Sequence, residues 1–164
     1  MTTVLKHEHS KKEKIQDQVN HILDEARMVL PGIQALLGFQ LVAVFNATFA
    51  KISYSDQLLH LLAILLSVNA ICFLITPAAI HRQGHPALIS QTFADTSSKL
   101  ISLGMMPLLL SIVIDSYVVA NIVTKQSHWS IAIASALLLE FVFCWIMLPQ
   151  LKRHASRAEE QDNE

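Results

Sequence analysis

Two carboxyl residues pose the chemical question. Asp115 is the one charged residue between Leu100 and Thr124, and Glu140 is the one charged residue between Trp129 and Pro149. Gln40 and Asn69 stand in two further apolar runs, residues 28–50 and 57–80, which contain no Asp, Glu, Lys or Arg. An Asp at the centre of a membrane helix scores about 2.5 to 3.5 kcal/mol on insertion scales, so polar residues kept there are the informative ones. Two carboxyls held together in hydrocarbon, with amides beside them, form a group that can load and release a proton or hold a monovalent cation. The same four residues also have a plainer reading as polar glue, hydrogen-bonded between helices.

The elements that must position them are membrane spans. About 20 apolar residues cross a bilayer core at 1.5 Å per residue, and four runs qualify, at about 28–50, 57–80, 100–124 and 129–149. The first run is longer than a signal-peptide core and follows a long polar leader, so an uncleaved anchor is expected. The connections at residues 51–56 and 125–128 are short enough to force antiparallel hairpins, and residues 81–99 form a longer linker. Counted from the end of each span nearest a short connection, Gln40 lies about 15 Å deep, Asn69 about 18 Å, Asp115 about 14 Å and Glu140 about 16 Å. One polar layer drawing on all four helices is therefore expected. Small residues mark its inward faces: Ala132 and Ala136 share a face with Glu140, Ser111 with Asp115, and Ala43 and Ala47 with Gln40. His60 and Asn46 read as interfacial.

Of the twelve Lys and Arg residues, ten lie in the N-terminal segment, the long linker and the C-terminal tail, against Lys51 and Lys125 in the short connections. The positive-inside bias then places both termini in the cytoplasm. The expected architecture is all-α: an integral membrane four-helix antiparallel bundle in a membrane domain over residues 13–155 that opens with an amphipathic cytoplasmic helix over 13–30, with disordered tails at 1–12 and 156–164. Ile15, Val19, Ile22, Leu23, Ala26 and Val29 give that helix its apolar face. It either packs under its own bundle or lies on the membrane or a partner. Pro31 marks an expected joint with the first span.

Composition excludes several classes. Of 164 residues 52% are hydrophobic and 15% charged, too apolar for a disordered chain. A net charge of -1, with two Trp and two Tyr, offers nucleic acid neither a basic surface nor a stacking platform. Cys72 and Cys144 sit in apolar runs and read as small hydrophobes. His7-Glu8-His9 lies in a polar tail with nothing to orient it, and His81 and His85 are separated by Gly84 and followed by Pro86, so no metal site is assigned. Nucleophile-elbow, zinc-protease, phosphate-loop and haem-attachment motifs are absent, so no enzyme activity and no cofactor are expected.

Glu25-Ala26-Arg27, Gly32-Ile33-Gln34 and Gly38-Phe39, with Pro77 and His81-Arg82 closing the second span, resemble the recurring elements of an uncharacterised bacterial family of four-helix membrane proteins, a domain of unknown function. The resemblance covers roughly residues 13–155. Some relatives carry a sodium:proton antiporter label, which implies ion exchange in the inner membrane. The resemblance also points to Glu25, Arg27, Gln34, His81 and Arg82 as an inner polar cluster, in which Glu25 pairs with Arg27 and His81-Arg82 complete the group or bind lipid phosphate. Two functions follow as expectations. One is translocation of protons or monovalent cations, antiporter-like or channel-like, by a homo-oligomer in the lipid bilayer. The other is a non-catalytic membrane scaffold or regulatory subunit.

Overall fold

The structure, a computed structural model, describes the backbone of residues 2–83 and 91–150 and the side chains of 13–83 and 91–150. Four helices follow in chain order: α1 (Thr2–Val44), α2 (Tyr54–Gln83), α3 (Gln91–Thr124) and α4 (Ser127–Val142). α1, α2 and α3 each hold a stretch long and apolar enough to cross a membrane, α4 does so together with its helical continuation to Gln150, and no strand occurs among the described residues. The all-α four-helix membrane architecture expected from the apolar runs is the one found. His85, Pro86 and the tail beyond residue 150 lie outside the described residues, as do the side chains of His7, Glu8 and His9.

Several boundaries differ from the sequence reading for local reasons. The backbone is helical from Thr2, in the stretch 1–12 read above as a disordered tail, because neither Gly nor Pro interrupts the segment before Pro31. Pro31 does not divide α1; it sits inside one continuous helix, where the loss of a single N–H bond is tolerated. The first span stops at Val44 rather than residue 50. The Asn46 side chain accepts a hydrogen bond from the Thr48 N–H at 2.9 Å, an alternative to the helical ladder, and a short 3-10 turn follows at Phe49–Lys51. In the last span, Phe143–Met147 form a π-turn before the chain returns to α-helix over 148–150.

The chain divides into two compact units, and α2 and α3 pass through both. The first unit comprises residues 1–51 and 64–108. Its packing follows a heptad rhythm. α1 buries Val19, Ala26, Ile33 and Gln40, seven residues apart, while α2 buries Ser67, Ala70, Leu74 and Pro77 and α3 buries Ala94, Ser97, Ile101, Gly104 and Leu108 at alternating steps of three and four. The amphipathic segment thus packs on its own bundle through Val19 and Ala26, and Gln91 of α3 donates to Gln18 of α1 at 3.5 Å. Small residues permit close helix approach. A Cβ at Gly104 would lie 3.1 Å from the Phe73 Cβ and 3.4 Å from the Ala70 carbonyl oxygen, so glycine is what lets α3 meet α2 there. His81 meets Phe93 further along, with ring centroids 6.0 Å apart; as α2 advances, α3 falls back, the mark of antiparallel packing.

The second unit comprises residues 52–63 and 109–164. Here the start of α2 buries Asp56, His60 and Ala63 against the end of α3, and α4 turns Ile131, Ala134, Ser135 and Leu138 towards Leu59, Val113, Ile114 and Tyr117 around a cleft of about 260 Å³. Lys125 makes the reversal between α3 and α4 in the left-handed region (φ 54°), its N–H bonded to the Asn121 carbonyl at 3.0 Å. Thr124 bonds back to the Ala120 carbonyl at 2.8 Å, and its hydroxyl accepts the Gln126 N–H at 3.3 Å.

Candidate functional site

The strongest polar constellation lies in the second unit, along the seam between α2 and α3. At its first level Ser53 opens α2: its hydroxyl accepts the Asp56 N–H at 3.1 Å and donates to the Asp56 carboxylate at 2.8 Å, a cap that fixes Asp56 in the first turn. The Asn121 amide reaches across from α3 and donates to both oxygens of Asp56, at 3.0 and 3.3 Å. One turn further, His60 Nδ1 lies 2.7 Å from the Asp115 carboxylate, with side chains 6% and 16% exposed. One turn further again, Ser111 donates to the Ala63 carbonyl at 2.8 Å. Three successive turns of α2 are each joined to α3 by a polar contact.

Position and chemistry combine at the middle level. His60 lies six residues from the start of α2 and Asp115 nine residues from the end of α3, about 9 and 14 Å along their helices. At such depth an imidazole and a carboxyl have little water to bind. Each bonds the other, and the His60 tautomer decides whether Nδ1 donates or accepts.

The four residues expected to form one layer do not share a fate. Asp115 is on the seam. Glu140 lies off the face of α4 that packs, because the least exposed line of that helix runs through Ser130, Ala134, Leu137 and Phe141 and Glu140 falls about a quarter turn around from it, at 100° per residue. It is exposed, and the partner of Asp115 is His60 rather than a second carboxyl. Gln40 is buried at 2% exposure in the first unit. Asn69, in the same unit, is exposed, because the buried line of α2 runs through Ser67 and Ala70 on either side of it.

The inner cluster is not assembled either. Arg27 pairs with Asp24 at 2.8 Å, not with Glu25, because residues two apart point to different sides of a helix while residues three apart share one. Glu25, Gln34, His81 and Arg82 are exposed, and among the described residues no hydrogen bond joins one of them to another. Since the Arg27 and Asp24 side chains are 79% and 59% exposed, their pair contributes at most a few tenths of a kcal/mol, about the level of other surface pairs. In a double-mutant cycle on detergent stability, Glu25→Gln and Arg27→Gln should therefore add to within about 0.5 kcal/mol. A larger coupling would show that the two charges meet after all.

His60, Asp56 and Asn121 were missed from sequence. The signal existed: Asp56, His60, Ala63 and Ser67 are spaced four, three and four apart, a seam of polar and small residues in an otherwise apolar helix.

Comparison with known proteins reaches most of this chain. Neither a curated protein nor a solved structure matches it. The sequence model of a family of unknown function, DUF6328, matches residues 8–149, which takes in all four helices and both halves of the His60–Asp115 pair. A match over that much of the chain, on a fold of four membrane-length helices, places this protein in the DUF6328 family.

Proposed function

We propose that the protein moves protons or monovalent cations across a bacterial inner membrane, with the His60–Asp115 pair as the group that holds the moving ion. The observation that carries this reading is the 2.7 Å contact between two ionisable side chains inside apolar spans. Ionisable residues at such depth are functional by default, and an imidazole bonded to a carboxyl can accept a proton at one atom and release it at another. Four helices enclose little space alone, so the working form is an oligomer. The direct test is flux from proteoliposomes under imposed proton, sodium and potassium gradients. Wild-type protein should dissipate at least one of them, and a vesicle population indistinguishable from protein-free controls would overturn the proposal.

A second reading has its own observation. The three polar contacts that join α2 to α3 in the second unit also serve a rigid scaffold or regulatory subunit, and that role becomes the reading if no gradient moves.

The orientation proposed has both termini in the cytoplasm, supported by the ten-to-two distribution of Lys and Arg. With Cys72 and Cys144 replaced by alanine, cysteines at Ser53 and Ser127 should react with a membrane-impermeant maleimide added to intact cells, and a cysteine at Ser10 should not. The opposite pattern would invert the topology.

A further inference from the structure

α4 has one face with nothing on it. Of its residues only Ser130 is buried, and the exposed side, away from the line of Ser130, Ala134, Leu137 and Phe141, carries Ala132 and Ala136 with the exposed Leu139 and Phe143, and Glu140 at its edge, one turn beyond Ala136. Glu140 lies thirteen residues from Ser127 and ten from Gln150, the ends of the apolar stretch. Among the described residues it makes no hydrogen bond and no ion pair. The hydrocarbon offers a carboxyl no partner at that depth, and water at either surface is about 15 Å or more away along the helix. A second side chain must meet it.

We propose that this face is where a second copy of the chain docks, α4 against α4 about a two-fold axis along the membrane normal. All copies in one membrane share orientation and depth. A polar group at mid-depth on an exposed face therefore finds its own equal at the same level when two such faces meet. In that arrangement the Glu140 carboxyls of the two chains face each other and form a hydrogen bond around a shared proton, one oxygen donating and the other accepting. Ala132 and Ala136, four residues apart, let the two backbones approach closely enough for it, and Leu139 and Phe143 pack at the sides. The surface gives the oligomer of the transport reading a structural basis, yet it depends only on the exposed carboxyl and its neighbours and stands whether or not an ion moves.

The test is oligomeric state, read apart from any flux. Full-length protein at limiting density in lipid vesicles, counted by single-molecule photobleaching, should be mainly dimeric. Glu140→Leu and Ala136→Leu should each weaken the dimer at least tenfold, while Glu140→Gln, whose amide both donates and accepts, should keep it within about threefold. Because a bulky variant can disturb the fold itself, a second measurement uses small substitutions. In a background with Cys72 and Cys144 changed to alanine, a cysteine at Ala136 should crosslink two chains under mild oxidation and a cysteine at Ala134, on the packed side of α4, should not. A monomeric wild type, a dimer indifferent to both leucine variants, or crosslinking at Ala134 but not at Ala136 would each overturn the proposal.

Discussion

Asp115→Asn should abolish gradient-driven flux while leaving the bundle nearly as stable as wild type, whereas Asp115→Leu should remove both flux and about 2 to 3 kcal/mol of stability. The difference lies in what His60 is left with. An amide offers both a donor and an acceptor, so it meets His60 Nδ1 in either tautomer, but it cannot take up and release a proton as a carboxyl does. Leucine leaves the imidazole, 6% exposed, with no partner at that contact. Stranding a buried polar group costs about 1 to 3 kcal/mol, and hydrogen bonds to charged groups lie at the upper end. Interhelical polar pairs in membranes usually measure lower, about 0.6 kcal/mol with a maximum near 1.7, because the separated helices find other partners. Here the short contact and low exposure favour the upper part of the range of about 1 to 3 kcal/mol. Adding His60→Leu to Asp115→Leu should then cost less than about 1 kcal/mol more, giving a coupling of about 1.5 kcal/mol in a cycle read by thermal denaturation in detergent. Strict additivity would show that the 2.7 Å contact carries no energy. Flux retained by Asp115→Asn would separate the pair from transport altogether.

The second large effect belongs to Asp56. Asp56→Ala should lower stability by about 2 to 3 kcal/mol, more than either Ser53→Ala or Asn121→Ala at about 1 kcal/mol each. Asp56 is the meeting point of two functions that the other residues perform singly: it holds the Ser53 cap at the start of α2 and receives two hydrogen bonds from Asn121 on α3. Alanine keeps the backbone N–H that Ser53 caps but loses the carboxylate that accepts the Ser53 hydroxyl and the two Asn121 bonds, at about 1 kcal/mol each, and a carboxylate in the first turn of a helix gains a further 0.3 to about 1 kcal/mol from the helix dipole. Asp56→Asn keeps the shape and an acceptor for Asn121, so it should recover more than half of the loss. An alanine at Asp56 no more harmful than one at Asn121 would show that the cross-helix bond, not the carboxylate's contact with Ser53, is all that matters there.

The spans were legible because apolar length is a one-dimensional property: a run of 20 residues without charge reads the same in the sequence as in the fold. Facing and register were not. Asp115 stood out as a charge in an apolar helix, but its partner is 55 residues away in sequence. Residues 84–90 separate α2 from α3 in sequence, and nothing in that segment's composition sets how far one helix slides along the other. The step that failed for Glu140 was the inference from small neighbours. Ala132 and Ala136 do not mark the inward face: both are exposed, and the least exposed line of α4 is Ser130, Ala134, Leu137 and Phe141. A helix apolar all round gives no polar face by which to orient it. Glu25 and Arg27 show a third limit, since nearness in sequence is not nearness in space: two residues along a helix is more than half a turn around it.

The unbroken alternation of buried positions along α2, Asp56, His60, Ala63, Ser67, Ala70, Leu74 and Pro77, ties the helix to a single rotational phase. One residue inserted near its middle would turn everything on one side by about 100°, carrying His60 and Asp56 off the seam or Ala70 and Leu74 off theirs. Seven residues would restore the phase, at the expense of a helix some 10 Å too long for its neighbours. Such a chain is free to vary in length after Gln83 or before Tyr54, but within the seam its length is as tightly constrained as the identity of any side chain.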